Sequence, residues 1–527
     1  MNLLGVVAWI LLAPQAEPAS KPAADPVVAW FESGAIPELE LSIGDKEVAR
    51  LRQSPKEYVS AELTEKGGGF HGRVALKLKG SAGSFRDLED KPGFTIDVDR
   101  EKSSADFHGL VKFHLNNSVQ DGSYLNEFAG YEIFRRSGLP APRITHAIVR
   151  LNGRSLGLYV LKESYDRRFL ARFFERSDGN LYDGGVNGEV DDELDRDSGD
   201  GPLDRADLKR LAAACHEENA KKRRERVAAL VDLDRFLTFM ALEAMLAHWD
   251  GYTPNQNNWR VYFDPKTKKA VFIPHGMDQI FGDHEAPIVQ HPVGIVARAV
   301  MADPECQTAY HKRLRDLLPL LFPSKDIEAA VRRKSDRLLP VVEKSLGADF
   351  AARLRAEADV LLLRIRARSL RLLEESKRPL PEPLDFTKGP FALRVLAWQK
   401  RQECDDANLD IVGQGDDRRM ILKTGTCGRC IQSYRSRIPL PAGSYRFRAT
   451  MTARSIRPLA DTDNAGAGIR ISGERRSSVF SGDAVDSPQS FDFTVEDGGR
   501  DVELVIELRA SSGEITLPLN GLFLERR

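Results

Sequence analysis

The stretch that decides the fold reads His248-Trp-Asp250-Gly-Tyr-Thr-Pro-Asn-Gln-Asn257-Asn258-Trp-Arg-Val-Tyr262, and Ile273-Pro-His-Gly-Met-Asp278-Gln-Ile-Phe-Gly282 follows it. An acidic residue leaves a helical segment, a polar loop follows, and paired asparagines lead into a strand. The next strand ends in a second aspartate. Asp250, Asn258 and Asp278 therefore stand at the ends of neighbouring elements, where side chains can converge. Phosphoryl transfer needs such a set: one carboxylate to orient the acceptor hydroxyl and take its proton, and an Asn with a second Asp to hold magnesium against the phosphates. The protein-kinase order HRDxxxxN then DFG follows the same logic, and here it runs HWD, NN, MDQIFG. Asn and Asp also cap turns and satisfy loop backbone. The spacing alone names no kinase.

Upstream, short alternating runs predict strands at Leu39–Ile43, Val74–Lys79, Phe94–Val98 and His146–Leu151, separated by turn clusters such as Gly67-Gly68-Gly69 and Gly80-Ser-Ala-Gly83. Asn152-Gly153 between HAIVRL and LGLYVL predicts a type I′ hairpin. Ser123 to Ser137 has helical spacing and stops at Gly138-Leu-Pro. This half reads as a mostly antiparallel sheet with an inserted helix. Asp232-Leu-Asp234 opens a helix with Phe236, Leu237, Met240, Ala241, Ala244 and Met245 on its apolar face. Strands at Trp259–Phe263 and Ala270–Ile273 follow, then a helical region from about Val293 to Ser376. Beyond Pro379-Leu-Pro-Glu-Pro383 the texture becomes short strands at Tyr445–Met451, Gly468–Ile471, Ser490–Val495 and Val502–Leu508, which argues for a β-sandwich.

The 527 residues, 42% hydrophobic, suffice for more than one core, and 77 basic against 78 acidic side chains leave a net charge of −1. With no basic stripe and no nucleic-acid fold signature, nucleic acid is a poor candidate partner. Leu3 to Leu12 is too short to span a bilayer but suits the apolar core of a signal peptide, and Ala-Pro-Gln-Ala16 offers small residues for cleavage. An exported protein, secreted or held in the periplasm or cell envelope without an integral membrane span, is expected. Five cysteines are too few for a disulfide scaffold. Cys427-Gly-Arg-Cys430 lacks a second CxxC for zinc, and two readings stay open: a small vicinal-loop disulfide, or two unrelated cysteines.

The central stretch resembles the CotH (spore-coat kinase) family, whose Asn-rich loop precedes a strand ending in a PWDxDxxFG-like motif. Further matches are Ile133-Phe-Arg-Arg-Ser-Gly-Leu-Pro-Ala-Pro-Arg143, the hairpin Val149-Arg-Leu-Asn-Gly-Arg-Ser-Leu-Gly-Leu-Tyr-Val-Leu-Lys-Glu163, and Gly179-Asn-Leu-Tyr182, in the family's order over roughly 40–375. The resemblance implies an α+β fold: an atypical kinase-like domain with a mixed or antiparallel sheet in its N-terminal part and a helical C-terminal part, followed by the β-sandwich. The expected division is leader 1–27, kinase-like domain 28–376, linker 377–388 and sandwich 389–527. It further implies ATP and Mg (Mn as the alternative), and transfer to Ser or Thr of a protein acceptor. Asp250 would be the catalytic base, and Asn258 (Asn257 as runner-up) and Asp278 would hold the metal. Lys79-Gly80-Ser81 matches the family's "RG.s" turn, whose N–H groups would face phosphates. Lys91 aligns with the first Lys of its "KKs" segment as the phosphate-contacting lysine, and Glu127 and Glu163 would pair with that lysine or with metal.

The departures point to a second reading. Gly276 stands where the family motif has its first Asp, His275 replaces the Trp, and Pro92 replaces the second Lys, while Asp283 and His284 lie beside the cluster. A catalytically weakened kinase fold acting as a surface or envelope binding protein is therefore the alternative. His275 reads better as a packed, hydrogen-bonded ring than as a ligand. The acidic run Glu189 to Asp200 lacks the spacing of a calcium loop and reads as a solvated loop. Trp398, Tyr434, Tyr445 and Phe447 are either sandwich core or glycan-stacking aromatics.

Overall fold

The structure, a computed structural model, describes residues 25–527 apart from 82, 102–104, 289–291, 378–385, 387–388, 397, 461–464, 476–479 and 496–499. The signal-peptide segment and most of the proline linker lie outside the described residues. The chain divides into two compact units, residues 1–117, 143–163 and 340–347 in the first and 118–142, 164–339 and 348–527 in the second.

The first unit is a closed barrel. Its strands are β1 (Glu38–Ser42), β2 (Val59–Glu65), β3 (His71–Lys79), β4 (Gly93–Asp97), β5 (Lys112–Asn116), β6 (Ile144–Leu151) and β7 (Arg154–Glu163), in the order β1-β2-β3-β4-β5-β7-β6. Every pair is antiparallel except β1 with β6, which runs parallel and closes the ring. Alternate residues point inward, so Leu41, Leu63, Leu76, Phe94, Ile96, Phe113, Leu115 and Val149 share one core. Closure removes two sheet edges that an open sheet would leave unpaired. The hairpin turn has φ of 48° at Asn152 and 77° at Gly153, the left-handed pair that a type I′ turn requires. The Asn152 side chain also accepts from Ile43 N–H at 2.8 Å and donates to its carbonyl at 2.9 Å, tying the turn to the end of β1. The predicted inserted helix forms as Asn126–Arg136 but belongs to the second unit.

In the second unit, β8 (Leu181–Asp183), β9 (Asp195–Ser198), β10 (Trp259–Phe263) and β11 (Ala270–Pro274) form an antiparallel sheet ordered β11-β10-β8-β9. The helix Leu233–Met245 begins where Asp232 accepts from Arg235 N–H, and buries every residue from Phe236 to Met245. The predicted helical region is four helices, Ile295–Met301, Pro304–Leu317, Lys325–Leu346 and Ala348–Ser376.

The C-terminal strands are longer than the sequence suggested. In Arg500–Pro518, residues 500–510 pair with Cys430–Leu440 and the later residues with Arg419–Lys423, so one strand serves two sets of neighbours. Tyr434, Tyr445 and Phe447 are fully buried in the sandwich core and Trp398 packs half-buried against it. Packing, not glycan stacking, accounts for Tyr434, Tyr445 and Phe447. The disulfide joins Cys427 to Cys404, while Cys430 is a buried free thiol, so in this structure Cys427 and Cys430 are not bonded to each other.

Candidate active site

The helix Leu233–Met245 delivers the chain to a tight polar turn that ends at β10. Asp250 sits in that turn, half-buried, and three asparagine amides grip its carboxylate. Asn255 Nδ2 and Asn257 Nδ2 donate to Oδ1 at 2.8 and 2.9 Å, and Asn258 Nδ2 donates to Oδ2 at 2.8 Å. The two expected metal asparagines differ in what their oxygens do. Asn257 Oδ1 already accepts from Asn187 N–H at 2.5 Å, whereas Asn258 turns its Oδ1 toward Gly276.

Two further bonds fasten this turn to the segment leading to Asp278. Asn258 carbonyl accepts from His275 N–H at 2.8 Å, and His248 Nε2 lies 3.0 Å from the Gly276 carbonyl. Burial holds the His248 imidazole down to about 4, so it is neutral near pH 7 and Nε2 carries the proton it donates. Glu243 supports the turn from below, accepting from Tyr252 N–H at 2.7 Å and Thr253 N–H at 2.9 Å. Burial pushes its carboxyl up to about 7 despite those bonds.

Gly276 has φ of +42°, and a Cβ there would lie 2.0 Å from Asn258 Oδ1. The position at which the family motif carries its first aspartate therefore has no room for a side chain while Asn258 keeps this rotamer. His275 accepts from Gly276 N–H through Nδ1 at 2.8 Å and packs edge-on to Tyr165 at 5.5 Å, as a packed histidine should.

Asp278 lines a cleft of about 610 Å³ together with Trp249, Asp283, Arg364, Gln120 and Asn126. Asp250 is not part of that lining. Asn126 Nδ2 donates to the Asp278 carbonyl at 2.7 Å. Asp121 caps the helix Asn126–Arg136 by accepting from Asn126 N–H at 2.9 Å and from Ser123. Burial pushes its carboxyl up to about 6, and the nearby Asp278 adds in the same direction. Asp283 shares the Asp278 cleft, while His284 turns to Glu285 at 3.5 Å. Glu127 is buried in the first turn of that helix rather than on its surface.

The acidic run is not a solvated loop throughout. Glu189 is buried and accepts from Tyr252 Oη at 2.8 Å, Gln256 Nε2 at 3.0 Å and Ile295 N–H at 2.7 Å. Asp197 accepts from Arg260 Nε at 2.8 Å, and Asp183 takes the same guanidinium through Nη2. Sequence reasoning missed Glu189, Glu243 and Asp121 as supports. A single acid inside the apolar run 236–245 was the available signal for Glu243, because an unpaired buried carboxylate is costly.

The remaining candidates lie in the first unit. Lys79 ends β3 and donates to Asn116 Oδ1. Gly80 adopts φ of +114° with its carbonyl accepting from Lys56 at 2.6 Å, and Ser81 N–H donates to Ser84 Oγ at 3.1 Å. The Ser81 amide thus serves its own turn. Burial lowers the Lys91 ammonium to about 8, against the pull of Asp90, and Nζ lies 5.1 Å from the Tyr159 ring centre. Glu163 is buried and accepts from Arg143 N–H at 3.1 Å, with the Arg143 guanidinium at 4.0 Å.

The chain is similar to inner spore coat protein H of Bacillus subtilis, with 22% identity over 45% of this chain and 70% of that protein. It is also similar to invasin CotH7 of Rhizopus delemar, with 24% identity over 43% of this chain and 42% of the invasin, so it spans less than half the length of that relative. A solved carbohydrate-binding module, TmCBM61 in complex with β-1,4-galactotriose, is 16% identical over 27% of this chain and 94% of the module. Its TM-score of 0.18 is too low to carry an argument. The family model described as CotH kinase protein matches residues 76–362, more than half of the chain, and takes in every candidate residue above. The chain belongs to the CotH kinase protein family.

Proposed function

We propose that this protein is an exported kinase of the CotH type that transfers the γ-phosphoryl group of ATP to Ser or Thr of a protein acceptor. The observation that carries the reading is the Asp250 carboxylate, oriented by the amides of Asn255, Asn257 and Asn258. A carboxylate offers about four lone-pair sites. Three are used by the asparagines, leaving one to take an acceptor hydroxyl proton while the grip fixes its direction. Asn258 Oδ1 and the Asp278 carboxylate are hard oxygen donors of the kind magnesium takes, and Asn258 is the better of the two asparagines because the Asn257 oxygen is engaged. The metal would neutralise charge developing on the phosphates. Lys91, with its lowered ammonium, suits contact with an anionic group, which would restore its full charge. The names of the relatives, a spore coat protein and an invasin, favour an exported or surface location, and among the described residues no helix is long and apolar enough to cross a membrane.

Labelled ATP with Mg or Mn, and a basic Ser-rich peptide or the protein itself as acceptor, tests this. Asp250→Ala should lower transfer at least about 100-fold, the usual scale for a lost general base. Equal transfer by the variant would sink the assignment.

Gly276 favours a second reading, a weakened kinase fold that serves as a surface binding protein, because a carboxylate is missing from the family motif. Glycan binding by the sandwich would then need residues other than Tyr434, Tyr445 and Phe447, which are core. Calorimetry separates the two: ATP with metal binds under the first reading and gives no heat under the second.

A further inference from the structure

Cys404 meets the neighbouring pair Cys427 and Cys430 where the strand Cys430–Leu440 of the C-terminal sandwich begins. Cys404 and Cys427 are bonded, and the thiol of Cys430 lies 3.1 Å from the Cys427 sulfur. All three sulfurs lie within 4.8 Å of one another. Cys427 is the exposed member, while Cys404 and Cys430 are buried at 3% and 0% exposure. A thiol in contact with a disulfide sulfur is placed for exchange, whose rate depends on access and on thiolate character. Gly425 N–H donates to the Cys430 sulfur at 3.2 Å, which holds that sulfur in place beside Cys427. On the other side, the Cys404 sulfur lies 3.0 Å from Asp406 Oδ1, so a released Cys404 thiol has an acceptor waiting.

We infer that Cys427 is the shared sulfur of an exchangeable disulfide, which passes between Cys404–Cys427 and Cys427–Cys430. The Cys430 thiol gives up its proton and its thiolate attacks Cys427 Sγ. The Cys427–Cys430 bond forms as the Cys404–Cys427 bond breaks, and Cys404 leaves as a thiolate that takes a proton. One disulfide and one thiol stand on each side of the step, so no oxidant or reductant is consumed. The two pairings differ in what they tie. The first joins the turn at 403–407 to the turn at 424–430, whereas the second closes only the four residues Cys427-Gly-Arg-Cys430. In the second state the 403–407 turn is held by noncovalent bonds alone, chiefly Asp406 accepting from Thr426 N–H at 2.7 Å and from its hydroxyl at 2.5 Å. The exchange is therefore a covalent latch on that turn, set without any change in overall redox state.

The tryptic map is well suited to a test, because cleavage after Arg401, Arg418, Lys423, Arg429 and Arg435 puts the three cysteines on three peptides. The full chain, with Cys215 and Cys306 replaced by Ala to prevent scrambling, is held at pH 8, acid-quenched, alkylated and digested without reductant. Two linked species are expected, the 424–429 peptide joined to 402–418 in one and to 430–435 in the other, with the label on Cys430 and Cys404 respectively. Cys404→Ala should form the 427–430 link in full under air oxidation. A single pairing that is unchanged between pH 5 and pH 8.5, or a Cys404→Ala protein that keeps two titratable thiols at 427 and 430, overturns the inference.

Discussion

At the residue scale, Gly276 and His248 decide how the turn and the strand end meet. Restoring the family carboxylate by Gly276→Asp should not restore a metal ligand, because the new Cβ meets Asn258 Oδ1 and the backbone sits at positive φ. The expected result is a loss of about 1–3 kcal/mol in urea denaturation and weaker transfer. Higher activity at unchanged stability would contradict this account. His248 is a pH matter. Its folded pKa of about 4 is below the ordinary 6.5, so its contribution is present above pH 6.5 and is lost as pH falls toward 4. Glu243, raised to about 7, runs the other way, losing its contribution as pH climbs from 4.5 to 7. The two oppose each other in the wild type. His248→Gln keeps an amide N–H for the Gly276 carbonyl and removes the titration. The stability gap between wild type and variant should widen by about 3 kcal/mol from pH 4 to pH 6.5. A gap that stays flat with pH would rule out a buried neutral imidazole.

At the element scale, Glu189 is the peg that joins three pieces of backbone. Its two oxygens hold the Tyr252 hydroxyl, the Gln256 amide and the start of the helix Ile295–Met301. Glu189→Ala leaves these donors without their acceptor, and a cost of about 3 kcal/mol or more is expected. Hydrogen exchange should report it locally, with protection lost at 252–256 and 295–298 while the helix Leu233–Met245 stays protected. Uniform loss across the second unit would instead mark Glu189 as a global support. Local spacing made the elements around Asp250 readable: the Asp232 cap, the apolar face and the Asn-rich turn lie within thirty residues. Glu189 was not readable, because its partners Tyr252 and Ile295 are 63 and 106 positions away and no local pattern records them.

At the scale of the whole molecule, the C-terminal sandwich has its own core of Met420, Tyr434, Phe447, Leu504 and their neighbours. The preceding segment Arg378-Pro-Leu-Pro-Glu-Pro-Leu-Asp-Phe-Thr-Lys388 is proline-rich and ends in a tryptic site at Lys388, while Pro379 blocks cleavage after Arg378. Limited trypsin should cut there first, and the released C-terminal fragment should unfold cooperatively on its own. A fragment without a thermal transition would show that this core depends on the rest of the chain.

The order and kind of the elements were legible because strand alternation, helix periodicity, turn residues and caps are local properties of the chain. So was the Asn-rich turn that holds Asp250 and Asn258, because its polar residues lie within nine positions of one another. Tertiary structure alone decided the closure of seven strands into a barrel, since the β1–β6 pairing joins residues more than a hundred positions apart. It decided that the Asn257 oxygen accepts from the distant Asn187 N–H while the Asn258 oxygen faces Gly276. It also decided the partner of Cys427, which is the distant Cys404 rather than the nearby Cys430. In each case the deciding contact joins residues that only folding brings together, and an amino-acid pattern carries no record of such a distance.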